Sequence, residues 1–224
     1  MISSVLKRIT KKKLTSEPTK DPSERIDNGL PFNLKIGSVI TIDSVPFILN
    51  DGLTIQNPGA TQLVKAYGSL KILGFPAHRF YLEDETGKEE SVLEIIETDD
   101  ELEIVLYRDF EIITPESADD WDHWLSEEDG YIGYPVFRLR GADENDLYDN
   151  YWGSDSHQSE PVCATETIFE DMFGENQCTI QHTMMLYSKE VGDIHEFALL
   201  SAEEDTEKET SLVRVSLGIP TTLQ

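Results

Sequence analysis

In ELEIVLYRDFEII, residues 101–113, the even positions Leu102, Ile104, Leu106, Phe110 and Ile112 are apolar and Glu101, Glu103, Asp109 and Glu111 lie opposite. Successive side chains of a strand point to opposite faces, so this alternation predicts a strand with one buried and one wet face. A helix would scatter both sets around its axis. The preceding RFYLEDETGKEESVLEII reads as strand, turn and strand, with Gly87 supplying the positive φ of the turn. GSVITIDSVPFILND predicts two strands about Asp43-Ser44, because Val, Ile, Thr and Phe dominate it. TQLVKAYGSLKI, residues 61–72, fits either a strand or a short helix. Residues 34–114 are therefore expected to form an antiparallel β-meander or small barrel.

TPESADDWDHWLSEEDG carries helix signals at both ends. Ser117 and Asp120 resemble a capping box, Trp121, Trp124 and Leu125 share a face, and Gly130 stands where a terminating glycine belongs. ATETIFEDMFG is expected to be a short helix with Ile168, Phe169 and Met172 on one side. YPVFRLR, CTIQHTMMLYSKEV, HEFALLSAEE and TSLVRVSLGI read as strands divided by polar or glycine-containing breaks. The expected fold is α+β and predominantly antiparallel β: an N-terminal β-meander or small barrel, one connecting amphipathic helix, and a second β-rich half. The expected domains are 34–114 and 115–224.

Charge decides which partners such a body can meet. Eighteen Lys and Arg against 44 Asp and Glu leave a formal charge of -26, a field that repels nucleic acid and an anionic membrane. The start of the chain has the opposite sign: residues 1–20 hold Lys7, Arg8, Lys11, Lys12, Lys13 and Lys20 against Glu17 alone. Over residues 1–14, Ile2, Val5, Leu6 and Ile9 fall on one helical stripe while Lys7, Arg8 and Lys11 point away. Together with Lys12 and Lys13 they form a candidate membrane- or partner-binding arm. Isolated helices shorter than roughly 12 to 15 residues are marginal in water, so the arm is expected to order on docking. Residues 15–33, with Pro18 and Pro22 flanked by polar residues, read as a linker. Its flexible span of roughly 24 Å exceeds a Debye length of about 8 Å, so the arm is screened from the acidic body.

The longest apolar run at the N-terminus is Val5-Leu6, which does not make a secretory h-region, and no stretch has the length of a membrane span. Position 2 is Ile, which excludes myristoylation. Cys163 and Cys178 are too few for a disulfide framework. The expected location is cytoplasmic, with peripheral contact at the inner membrane through residues 1–13.

Catalytic and metal patterns are weak. His123 beside Asp119 has the spacing of a surface ion pair. Cys163, Cys178, His182 and His195 can be written as a zinc quartet, but only Cys178 and His182 have ligand-like spacing, and both lie on one face of an expected strand. A calcium loop starting at Asp143 would need Gly at 148 and Glu at 154, where the chain has Tyr and Ser. Neither a phosphate loop nor a Gly-x-Ser-x-Gly elbow is present. No catalytic, metal or cofactor residue is assigned. Tyr148, Tyr151 and Trp152 form a candidate interaction patch, because exposed aromatics anchor interfaces; the alternative is that they are core of a neighbouring strand.

GYPVF at 133–137, YDNYW at 148–152, HTMMLYSKEV at 182–191, HEFALLSAEE at 195–204 and SLGI at 216–219 resemble the YjfK-like family of uncharacterised bacterial proteins. The chain departs from it at Asn150, where that family more often has Arg. The resemblance transfers no catalytic residue. It implies genomic company with phage-shock-protein-A-like membrane-remodelling proteins and an ATP-grasp ligase resembling glutathionylspermidine synthase. The expected function is a non-enzymatic accessory or adaptor protein that binds a protein partner. The alternatives are an acidic nucleic-acid-mimicking inhibitor, supported by charge, and an enzyme linked to a neighbouring amine ligase.

Overall fold

The computed structural model describes residues 21–144 and 146–223. Its frame is eight antiparallel strands: β2 (Thr61–Ile72), β3 (Phe75–Asp84), β4 (Glu90–Glu97), β5 (Leu102–Ile113), β8 (Val162–Phe169), β9 (Gln177–Val191), β10 (Ile194–Asp205) and β11 (Thr210–Pro220). They close in the order β2, β3, β4, β5, β11, β10, β9, β8 and back to β2. Two seams join sequence-distant strands. One pairs β5 with β11 from Val105↔Pro220 to Ile113↔Val213, and the other pairs β2 with β8 at Gly68↔Ile168 and its neighbours. Closure leaves none of the eight strands a long open edge. The short β1 (Val39–Thr41) extends one end of β2, and β6 (Val136–Phe137) and β7 (Tyr148–Asn150) extend β9.

The expected α+β arrangement is therefore corrected to a β-barrel. The meander and the second β-rich half do not build separate sheets, because the two seams interleave them. Among the described residues the longest helix is α2 (Ala118–Leu125), eight residues; α1 (Val45–Leu49) is a single turn. α2 starts as its sequence predicts: the Ser117 hydroxyl accepts from Asp120 N–H while the Asp120 carboxylate accepts from Ser117 N–H. It ends at Ser126, before Gly130.

Two other local readings change. The second strand expected after Asp43-Ser44 is α1, where Pro46 sits in the first turn and needs no N–H partner. ATETIFEDMFG is strand β8 up to Phe169, because β9 pairs with it along its whole length, from Val162↔Met184 to Phe169↔Gln177. Tertiary pairing overrides a weak local helical pattern. TQLVKAYGSLKI resolves as β2.

Three apolar layers use the barrel walls. On one outer face Phe80, Leu82, Leu93, Ile95 and Leu106 pack beneath Leu34, Ile40 and Ile42. On the other, Met185, Tyr187, Ala198, Leu200 and Val215 pack beneath Ile55, Trp124, Ile132 and Tyr148. The third layer, with Leu70, Ile72, Ala77, Met184, Leu186 and Phe197, fills one end of the barrel interior. Residues 25–33, within the expected linker, lie against the barrel: buried Asp27 accepts from the Arg25 guanidinium and from Ile36 N–H. β5 uses both faces, since Leu106 joins the outer layer and Tyr107 the inner one. The face expected to be wet thus lines the interior at Tyr107 and Asp109.

Candidate functional site

The open end of the barrel replaces apolar packing with charge. Arg79 on β3 is buried, donating through Nε to Glu94 on β4 at 2.7 Å and through Nη1 to Glu166 on β8 at 3.0 Å. Glu166 also accepts from Tyr81 Oη at 2.8 Å and lies 2.9 Å from His182 Nε2 on β9. His182 Nδ1 is 3.0 Å from Ser201 Oγ on β10. Nearer the rim, Arg214 on β11 forks onto Glu203 at 2.8 and 3.0 Å and reaches Asp109 on β5, which also accepts from Ser216. Lys208 pairs with Asp205 at the β10–β11 turn.

Two glycines make room for these groups. Gly68 faces Glu166 across the β2–β8 seam, where a Cβ would overlap the carboxylate, and a Cβ at Gly218 would overlap the Tyr107 ring. Gly68→Ala is expected to displace Glu166 from Arg79 and cost about 2 to 4 kcal/mol, a cost of the size seen for overpacking plus a weakened buried ion pair. A denaturant melt tests this; a loss below about 0.5 kcal/mol would show that Glu166 has slack.

The electrostatics follow from enclosure. Burial alone pushes Glu166 up, but Arg79 and His182 outweigh it and hold the carboxyl down at about 2. Burial opposes the charge of Arg79 as well, and Glu94 and Glu166 reverse this, keeping the guanidinium well above its ordinary range. Burial raises the Tyr81 and Tyr107 hydroxyls far above theirs. Glu166 is therefore ionised at neutral pH, so His182 donates from Nε2 and, in the neutral ring, Nδ1 accepts from Ser201. Because its folded value lies below the ordinary 4.5, Glu166 contributes stability above that pH and loses it as pH falls toward about 2. An acid unfolding limb in that window is expected, and Glu166→Gln should flatten it while lowering stability at pH 7; an unchanged limb rejects the assignment.

Ser201, His182 and Glu166 stand in the order of nucleophile, base and orienting acid. Developing negative charge at Ser201 would find little support from its own backbone. Ser201 lies mid-strand between β9 and β11, where ladder bonds occupy the backbone, and the surrounding carboxylates outnumber the cations. An oxyanion needs preorganised donors and a favourable field. The arrangement is suited to holding a ligand.

The charged ring borders a cavity of about 150 Å³. Its remaining walls include Ala66, Val92, Ile168, Ile180 and Leu199. A larger groove of about 400 Å³ lies outside the barrel, between Trp124, Tyr131, Phe137 and Arg140. Its aromatic walls belong to the packing of α2, and among the described residues its charged groups Glu111 and Arg140 form a pair whose arginine is exposed.

The nine candidate positions of the arm, Ile2 to Lys13, lie outside the described residues. Tyr148 is fully buried, its hydroxyl donating to Glu196 at 2.8 Å, which takes it out of any surface patch. Tyr151 is exposed and stacks edgewise on Phe197, and half-buried Trp152 packs against two of the apolar layers. Both cap the apolar end of the barrel, away from the charged one. Cys178 and His182 share a face as expected, and both line the cavity. Cys163 and His195 are exposed, so the zinc quartet does not assemble; among the described residues no three His, Cys, Asp or Glu side chains converge as a metal set. His123 packs against Tyr131 with ring centres 4.5 Å apart and the rings tilted. Sequence reasoning passed over Arg79, Glu94, Glu166, Ser201, Glu203 and Arg214. Their one local signal is polar residues two apart in otherwise apolar strands, as in Ser201, Glu203 and Asp205.

Among the described residues no helix is long and apolar enough to cross a membrane. Residues 4–223 match the profile of a family described as a protein of unknown function (DUF2491). No curated protein and no solved structure matches the chain.

Proposed function

The chain belongs to this family of unknown function, and from the cavity in its barrel we propose that it is a non-enzymatic binding protein that encloses a small molecule. The carrying observation is the buried ring of Arg79, Glu94, Glu166 and His182 beside a cavity of about 150 Å³. Eight-stranded barrels are just wide enough to be filled by side chains or to hold one small ligand. Here one end is filled and the other is not. Burying so many charges costs more than an apolar filling of the same volume would, which favours a role in recognition.

Metabolite fractions tested by thermal shift should include one that raises the melting temperature of the full chain but not of Ala66→Phe, which fills the cavity. Equal shifts in the two proteins, or none in the wild type, reject the proposal.

The division of charge supports a second part of the reading, in which the ligand-binding body is an accessory protein attached through residues 1–13. The YjfK-like resemblance supports a membrane-stress setting for it. At about 1 kcal/mol per basic residue near an anionic leaflet, the five Lys and Arg of the arm would give reversible attachment. Replacing Lys7, Arg8, Lys11, Lys12 and Lys13 by Gln in the full chain should abolish sedimentation with phosphatidylserine vesicles at low salt. Undiminished sedimentation rejects the membrane version and leaves a protein partner.

A further inference from the structure

We infer that the barrel cavity selects a small organic monocation, an amine or guanidinium head on a short apolar body; this rests on reading the barrel as a ligand-binding protein. Three cations border the cavity, Arg79, Lys208 and Arg214. Four carboxylates border it too, Asp109, Glu170, Glu203 and Asp205, and Glu94 and Glu166 stand behind Arg79. Six carboxylates against three permanent cations leave an excess of negative charge whether or not His182 is counted as a fourth cation.

The pairing matters as much as the excess. Arg79 is shared by two carboxylates, Arg214 by two more, and Lys208 is engaged by Asp205. An entering carboxylate or phosphate would find every cation already neutralised and would meet a net negative field. An ammonium meets the opposite situation, because each carboxylate oxygen offers two acceptor lone pairs and the Glu203 oxygens each accept one bond from Arg214.

A second, independent observation comes from Tyr107. It is 3% exposed and lines the cavity, yet its hydroxyl makes no hydrogen bond among the described residues. A hydroxyl that faces the cavity without a protein partner is placed to bond a polar ligand atom there. The apolar walls formed by Val92, Ile168, Ile180 and Leu199 provide for the body of the ligand. Its size is set by the volume, since a cavity of about 150 Å³ is known to admit a molecule the size of benzene.

Three probes of nearly equal shape separate the possibilities: n-butylammonium, n-butanol and butyrate, titrated into the full chain while the methyl resonances of Ile168, Ile180 and Leu199 are followed. Saturable shifts are expected with n-butylammonium at least tenfold tighter than n-butanol, with butyrate weakest, and Glu203→Gln should reduce the preference for the amine severalfold. If n-butanol or butyrate binds as tightly as the amine, the charge selection is overturned while the cavity reading stands. If none of the probes moves these methyls, the cavity reading falls and takes this inference with it.

Discussion

Arg79→Met is expected to remove about 3 to 5 kcal/mol of stability, the penalty for leaving buried carboxylates without their counter-charge. Arg79 is the only cation that touches both Glu94 and Glu166 among the described residues, and the three are 6%, 2% and 0% exposed. Domains are stable by about 5 to 15 kcal/mol in total, so the variant should be marginal at room temperature. A compensated variant separates lost charge balance from lost packing. Arg79→Met combined with Glu94→Gln and Glu166→Gln should regain part of the loss, because the unpaired buried charges are removed while the amides that replace them still lack partners. Urea melts of the wild type, the single variant and the triple variant measure this. A single variant within about 1 kcal/mol of wild type would mean that water reaches the network.

Glu196→Ala is expected to cost about 3 to 4 kcal/mol through a different mechanism, the loss of one acceptor that several segments share. Glu196 is fully buried on the outer wall of β10. One oxygen accepts from Thr54 and Ile55 N–H at 2.6 Å each, and the other accepts from Tyr148 Oη at 2.8 Å and faces Lys189 Nζ at 3.3 Å. The carboxylate therefore ties the segment before β2 and strand β7 to the barrel. Hydrogen exchange should show lost protection at residues 53–56 and 148–150, with the β3–β4 pairing retained. Uniform loss across the barrel would show that Glu196 acts on global stability instead.

The two sites differ in how far sequence could reveal them. Cys178 and His182 were placed on one face by spacing alone, and the structure keeps them there. Arg79 and Glu166 are separated by 87 positions and meet only because β2 lies between β3 and β8. Nothing local to either residue marks the other as a partner. HEFALLSAEE gave a strand but no wet face, because Phe197 to Ala202 are buried without interruption. Strands covered on both sides lose the alternation that identifies a face. Tyr148 stayed open between surface patch and core because YDNYW is polar around it, and only the fold puts its hydroxyl beside Glu196.

Backbone period and capping chemistry act over a few residues, so the sequence by itself determined that 102–113 is a strand, that Gly87 makes a turn and that Ser117 starts a helix. It also determined the split between a basic start and an acidic remainder, which is a matter of counting charges. Tertiary structure alone decided that β5 pairs with β11 and β2 with β8, closing two expected halves into one barrel. A period of two fixes which way a side chain points but not which strand lies alongside. That choice depends on the summed burial of both faces along chain segments a hundred residues apart, and the cavity exists only once it has been made.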